Sequence, residues 1–162
     1  PVRWHMIGQL KRNKARSVAK WAYAIHSVDS ARLADALDRA ALSALSDGER
    51  TEPLRALIQV SLDGDPARGG VPTGELTPLA ERIESAEGLE FAGLMAVPPL
   101  GSDPDEQFEI LRRAHLLILE SHPRATELSA GMTGDLEAAV RHGSTCVRVG
   151  TALLGSRPVI SR

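Results

Sequence analysis

The sequence has a single cysteine, Cys146, which excludes an internal disulfide framework and suits a reducing compartment. Its formal net charge is only −2 at pH 7, so the chain has no strong field to attract nucleic acid or an anionic membrane. No apolar run approaches the ~20 residues of a membrane-spanning helix. No signal-peptide pattern opens the sequence. We therefore predict a cytoplasmic protein without a nucleic-acid or membrane partner.

Motifs of several common catalytic and metal-binding classes are also missing. The four histidines beyond the first strand lack the paired spacing of zinc ligands, so no metal site is predicted. No G-x-S-x-G nucleophile motif occurs, and Cys146 has no convincing His/Asp partner that would make it a nucleophile. These absences leave a binding protein or a cofactor-dependent protein as the main classes to consider.

What the sequence does contain is an alternation of short apolar runs and helical segments. Hydrophobic residues make up 43% of the 162 residues, which is enough for the core of one domain, predicted to span residues 1–162. The helical segments lie between apolar runs that lack polar alternation, as in strands covered on both faces of a parallel sheet. The predicted strands lie near residues 3–7, 23–28, 54–62, 89–95, 125–128 and 145–149.

Two of the helices have clear start signals. Asp29 or Ser30 can cap the helix that ends before Gly48. Asp103 can cap the next long helix, with Pro104 at its first position. For that second helix, the spacing of apolar residues predicts a core-facing stripe of Ile110, Ala114, Leu117 and Ile118.

The number of βα units leaves two folds open. Six units correspond to ~27 residues each, near the ~31 residues of a unit in a (β/α)8 barrel, but two units short of eight. A doubly wound sheet would accommodate six units, although its Gly-rich turn after the first strand is absent: "IGQLKRNK" has one glycine. Periodicity alone does not decide between them.

The stretch "TCVRVGTALLG" places a charge on a short buried strand. Cys146, Arg148 and Gly150 share one face of this strand. A guanidinium stays charged and cannot be buried alone without a cost of several kcal/mol. Arg148 therefore needs an acceptor, either a carboxylate such as Glu127 or Glu137, a set of carbonyls, or a ligand.

Two neighbouring turns favour a ligand. Gly150 and Thr151 follow the last strand and precede a short predicted helix, and "LSAGMTGDLEAAV" repeats the arrangement one unit earlier. Small residues let an anion approach the backbone, and barrel phosphate sites are typically built from the last two such loops. The two turns together predict an anion site.

The segments "WHMIGQLKRNKAR", "IHSVDS", "GLMAVPP" and "LSAGMTGDLEAAVRHGSTCVRVGTALLG", in that order, resemble the pyridoxal phosphate homeostasis protein family, which is similar to the N-terminal barrel of alanine racemase (fold type III). The resemblance implies a (β/α)8 barrel that binds pyridoxal 5′-phosphate (PLP), with Arg148 at the pyridine nitrogen. Ser129, Gly131, Met132, Gly150 and Thr151 would surround the phosphate, and His5 and Met95 would line the pocket.

The resemblance also implies a Schiff-base lysine upstream of "WHMIGQL", where this sequence has no matching segment. Both this gap and the unit count predict an incomplete barrel holding strands three to eight, as in a truncated chain, with non-covalent PLP binding at best. Its edges at "RWHMI" and "TCVRV" would be open. We expect them to pair with the missing N-terminal segment or a second copy.

The resulting prediction is a PLP homeostasis protein that binds cofactor without substrate turnover. An always-cationic Arg148 would keep the ring nitrogen unprotonated and make the ring a poor electron sink. Two alternatives remain: a racemase-like PLP enzyme, for which Tyr23 is the only tyrosine available as a second acid or base, and a non-binding interaction fragment.

Overall fold

Parallel strands alternate with helices along the whole of the computed structural model, which describes residues 2–155. The strands are β1 (His5–Met6), β2 (Ala24–Val28), β3 (Leu54–Ser61), β4 (Val71–Pro72), β5 (Leu89–Met95), β6 (Glu127–Met132) and β7 (Cys146–Arg148). The helices are α1 (Ala15–Ala19), α2 (Ala31–Ser46), α3 (Leu76–Glu84), α4 (Pro104–Ser121), α5 (Leu136–Arg141) and α6 (Thr151–Leu154).

The strand order distinguishes the two candidate folds. The main path of the sheet is β1-β2-β3-β5-β6-β7, with the short β4 attached to β3 off this path. Every pair is parallel, and, apart from the short β4, the strands lie side by side in the order in which they occur in the chain. A doubly wound sheet reverses its order at a switch point, and this sheet does not. The predicted incomplete (β/α)8 barrel of about six units is confirmed, with β1 and β7 as its edges in the described region.

The core has two layers, as a barrel wall requires. The large outer cluster lies between the sheet and the helices and includes Leu37, Ile58 and Phe108. A smaller cluster on the opposite face of the sheet contains Ala24, Leu57, Ala92 and Met95. Residues that alternate with the outer layer therefore face the concave side of the sheet, where a barrel keeps its site.

The predicted start of α2 is confirmed, whereas the predicted buried face of α4 is half wrong. The Ser30 hydroxyl caps α2 by accepting a hydrogen bond from the Leu33 N–H at 3.3 Å. In α4, Ala114 and Ile118 are buried as predicted, but Ile110 and Leu117 are exposed, Leu117 by 66%. The buried face instead includes the polar His115, whose Nε2 lies 2.7 Å from the Ala125 carbonyl oxygen. A satisfied buried histidine rotates the core face away from the position that apolar spacing alone indicates.

The strand β6 was misplaced by several residues. It covers Glu127–Met132 rather than residues 125–128, because Ser129 and Met132 pair in register with Cys146 and Arg148 of β7. The residues predicted to form a turn after this strand therefore lie on the strand itself.

Candidate functional site

Arg148 lies half-buried on β7 with its guanidinium held between two neighbouring strands. Its Nη1 donates to the Ser129 Oγ on β6 at 2.8 Å, and its Nη2 donates to the Ala96 carbonyl at 3.0 Å, just beyond β5. Burial lowers the pKa of Arg148 below its usual range, yet an arginine remains cationic. Among residues 2–155, Arg148 forms no ion pair with a carboxylate.

Neither of the two carboxylates considered as partners, Glu127 and Glu137, pairs with Arg148 among residues 2–155, whereas a backbone carbonyl, another acceptor considered, does. Glu127 instead forms an ion pair with Arg55 at 2.7 Å, at the amino ends of the strands. Because a buried guanidinium keeps its charge, the neutral acceptors around Arg148 leave that charge uncompensated within the described region.

A row of polar side chains continues from Arg148 across the concave face. The Ser129 Oγ lies 2.9 Å from His26 Nδ1, and His26 Nε2 lies 2.8 Å from His5 Nδ1. Ser129 and His26 are fully buried. Burial, followed by the charges of His5 and Arg148, lowers the pKa of His26 to about 4, so its ring is neutral near pH 7.

Met95 and the turn residues lie around the same strand ends. Met95 is buried and pairs in register with Ser129. The hydroxyls of Thr151 and Thr133 are 3.4 Å apart, so the turns after β6 and β7 adjoin. A Cβ placed on Gly150 would meet no heavy atom within 4 Å, which leaves its backbone accessible. A bound molecule could therefore approach this backbone closely.

Two of the predicted phosphate residues have local structural roles. The Met132 N–H donates to the Asp135 Oδ1 at 2.6 Å, so it is already engaged by a carboxylate. Gly131 has a φ of +94°, and a Cβ there would lie 2.6 Å from the Ala139 Cβ. Glycine at this position is thus required for α5 to pack against β6, whatever else it contacts.

The structure brings in three groups that the sequence analysis overlooked: His26, the Ala96 carbonyl and the Thr133 hydroxyl. His26 has a detectable signal, since it lies two residues after the inward-facing Ala24 on the five-residue strand β2 and therefore shares its face. The Ala96 carbonyl had no such signal, because a backbone acceptor is independent of side-chain type.

The three lysines of the chain, Lys11, Lys14 and Lys20, are exposed on the segment after β1. Lys20 forms an ion pair with Glu49 at 2.7 Å. None of these lysines takes part in the hydrogen-bonded row that includes Arg148.

The fold and the site together define the class of protein, a (β/α)8-barrel protein with a ligand-binding site. Six consecutive parallel βα units form an open portion of a (β/α)8 barrel, and its polar side chains meet near the carboxyl ends of the strands, where barrel proteins bind their ligands.

Comparison with known proteins agrees with this class. The family model described as "Alanine racemase, N-terminal domain" matches residues 2–158. The chain is 54% identical over 157 residues to a pyridoxal phosphate homeostasis protein of Mycobacterium leprae, covering 95% of this chain and 61% of that protein. It is 52% identical to the protein of the same name from Corynebacterium glutamicum, covering 96% of this chain and 71% of that protein.

A solved structure supports the same family assignment. PipY of Synechococcus elongatus with PLP bound is 35% identical and superposes with a TM-score of 0.79, over 95% of this chain and 71% of PipY. The chain belongs to the alanine racemase N-terminal domain family, in its branch of pyridoxal phosphate homeostasis proteins. It spans less than two thirds of the Mycobacterium leprae relative. Among the helices of the described region, none combines the length and hydropathy needed to cross a bilayer.

Proposed function

We propose that this protein binds PLP and helps to maintain the cellular supply of that cofactor without turning over a substrate. Two observations on relatives support the proposal: the 52–54% identical relatives above carry the name pyridoxal phosphate homeostasis protein, and the PipY structure contains PLP. A single cysteine supports a cytoplasmic location. We also propose that residues 1–162 form one PLP-binding domain.

The observation that carries the proposal is the environment of Arg148. A cation held at the carboxyl ends of the strands by two neutral acceptors, with no paired carboxylate in residues 2–155, suits an anionic ligand or one that accepts hydrogen bonds. PLP offers both, through its phosphate and its pyridine nitrogen. The open backbone at Gly150 and the adjoining Thr133 and Thr151 hydroxyls suit the phosphate. The residues around Arg148 and Gly150 therefore suit PLP as a ligand.

Each predicted site residue has a role in this proposal. Arg148 donates to the ring nitrogen and, because it stays cationic, leaves that nitrogen unprotonated. His5 and Met95 line the pocket. Bound PLP supplies an aldehyde and a pyridine ring whose electron-withdrawing power is weakened when its nitrogen is unprotonated. The phosphate lies near Ser129, Gly131, Met132, Gly150 and Thr151. Its donors in the proposal are the Gly150 backbone and the Thr151 hydroxyl, because the Ser129 hydroxyl and the Met132 N–H are already engaged.

The proposal extends to covalency and to partners. Because the three lysines lie on the exposed segment after β1, we propose that this chain holds PLP without a covalent bond. The edge strands β1 and β7 present backbone donors and acceptors. We propose that they pair either with an N-terminal segment of the same protein or with a second copy of the chain.

The test is a PLP titration of the 162-residue chain by equilibrium dialysis, repeated with Arg148→Gln. Losing a charge-assisted hydrogen bond of about 1.5–3 kcal/mol should raise the Kd about 10- to 100-fold. The matched control is Arg124→Gln, whose side chain is 85% exposed and pairs with Glu84. Its Kd should not change. Equal affinity of the Arg148→Gln and wild-type chains, or no PLP binding at all, would contradict the proposal.

A further inference from the structure

We propose that Ser129 and His26 are positioning residues, which hold the Arg148 guanidinium through a hydrogen-bond chain of one fixed direction that ends at His5. The role of the chain in ligand binding rests on the proposed function above. The direction of the chain does not, and it can be measured without PLP.

The direction follows from what each group can donate. Arginine only donates, so the Ser129 Oγ accepts from Arg148 Nη1. The Ser129 hydroxyl proton is then available to His26 Nδ1 at 2.9 Å. His26 must in that case carry its own proton on Nε2, which donates to His5 Nδ1 at 2.8 Å.

The opposite direction leaves a buried proton without an acceptor. If His26 carried its proton on Nδ1, the Ser129 Oγ would accept from both His26 and Arg148. Within residues 2–155, those two groups are the hydrogen-bond partners of this hydroxyl, so its own proton would have none. Ser129 is 0% exposed, and an unsatisfied buried donor is costly. The first arrangement gives the hydroxyl of Ser129 and both ring nitrogens of His26, the two buried members of the chain, a suitable partner.

A neutral His26 is needed for this arrangement, and its surroundings keep it neutral. The cation of Arg148 and the ring of His5 both face it, and it lies on the fully buried strand β2. A second proton on His26, at Nδ1, would point an N–H at the Ser129 hydroxyl and place a positive charge near the Arg148 guanidinium.

The consequence is a guanidinium with a fixed plane. Nη1 is tied to β6 and Nη2 to the end of β5, so rotation about the arginine side chain is blocked at two points. Three of the five N–H groups of Arg148 have no partner among residues 2–155. A donor fixed before binding loses less entropy when the ligand arrives.

The chain also links the two ends of the predicted pocket. His5 has no direct hydrogen bond to Ser129 in the described region, yet its tautomer is set by that hydroxyl through His26. Its proton should therefore lie on Nε2. The His5 ring packs against Tyr23 with ring centroids 5.3 Å apart, a contact that leaves its hydrogen bonding to His26 intact.

The direction is tested by nuclear magnetic resonance on the ¹⁵N-labelled chain without PLP, using two-bond ¹H–¹⁵N correlations that distinguish histidine tautomers. In the wild-type chain, His26 and His5 should both carry their proton on Nε2. Ser129→Ala should let His26 populate both tautomers and should shift the His5 signals as well. Ser129→Thr retains a hydroxyl and should restore the wild-type pattern.

The matched control is Ser121→Ala. Ser121 also has a hydroxyl beside a histidine nitrogen, 2.9 Å from His122 Nδ1, at the end of α4. This variant should change the His122 signals and leave those of His5 and His26 unchanged. A wild-type His26 with its proton on Nδ1 would overturn the proposal, and that measurement needs no variant to fold.

The positioning role is tested by PLP dialysis on the same variants. Ser129→Ala removes no contact to the ligand but frees the Arg148 guanidinium, and the cost of ordering one long side chain on binding predicts an affinity about 3- to 10-fold weaker. The affinity should recover in Ser129→Thr and should not change in Ser121→Ala. Wild-type affinity in a folded Ser129→Ala chain would refute the positioning role. If no variant and no wild-type chain binds PLP, the proposed function fails together with the positioning role, while the tautomers still report the direction of the chain.

Discussion

Replacing Gly131 with alanine tests whether this glycine serves the packing of the fold rather than the ligand alone. Gly131 is the last residue but one of β6 and lies beside the site, with a φ of +94°. An added Cβ would lie 2.6 Å from the Ala139 Cβ and 3.2 Å from the Leu136 Cα of α5. Both neighbours belong to a helix that the strand holds in place, so neither can move freely.

The expected cost has two parts. A positive φ costs an L-residue about 1–2 kcal/mol. Forcing an extra methyl into a packed contact costs about 1–3 kcal/mol more. The free energy of unfolding should therefore fall by about 2–5 kcal/mol, a large share of the ~5–15 kcal/mol typical of a domain.

Urea denaturation followed by circular dichroism measures this loss. With a slope of about 2 kcal/mol/M, the midpoint should drop by about 1–2.5 M. Gly134→Ala is the matched control, since a Cβ there would meet nothing within 4 Å. In a double-mutant cycle, adding Ala139→Gly to Gly131→Ala should recover the stability lost to the clash between the two Cβ atoms, but not the stability lost to the positive φ. A Gly131→Ala midpoint equal to that of Gly134→Ala would refute the packing argument.

Three further predictions concern pH, capping and covalency. Folding lowers the pKa of His26 from 6.5 to about 4. As the pH falls, His26 therefore takes up its proton at a higher pH in the unfolded chain than in the folded one. The free energy of unfolding should fall by up to about 3 kcal/mol as the pH drops from 6.5 to about 4. In His26→Gln, the urea midpoint should change less with pH over the same range. Ser30→Ala removes the cap of α2 and should cost about 1 kcal/mol in urea denaturation; an unchanged midpoint would contradict the capping role. Dialysis should remove PLP completely. Borohydride reduction of the PLP complex should leave no stoichiometric adduct on any one lysine, and a single lysine found labelled by mass spectrometry would contradict non-covalent binding.

The fold was largely predictable because local patterns encode it. Strands without polar alternation and intervening helices indicated parallel βα units, and β5 was placed at its observed bounds, residues 89–95. The choice between a barrel and a doubly wound sheet was not predictable from periodicity. It depends on which strands lie side by side, and that order is a property of the whole chain.

The need of Arg148 for acceptors was predictable, because a guanidinium removed from water cannot be left unpaired, and the half-buried Arg148 has two of them. Their identity was left open between a carboxylate (Glu127 or Glu137), carbonyls and a ligand, and the described residues supply a hydroxyl and one backbone carbonyl. His26 was overlooked because a histidine within an otherwise apolar strand suggests core packing until its face is assigned. In α4, a hydrogen-bonded His115 likewise occupied a core position that apolar spacing had given to Leu117.

The central claim is that Arg148 meets the ring nitrogen of PLP as a cationic donor. The most direct measurement is the ¹⁵N chemical shift of PLP labelled at its pyridine nitrogen and bound to the chain. We predict the shift of an unprotonated, hydrogen-bonded nitrogen in the wild-type complex and a change in that shift with Arg148→Gln. The shift of a protonated pyridinium in the wild-type complex would contradict the account.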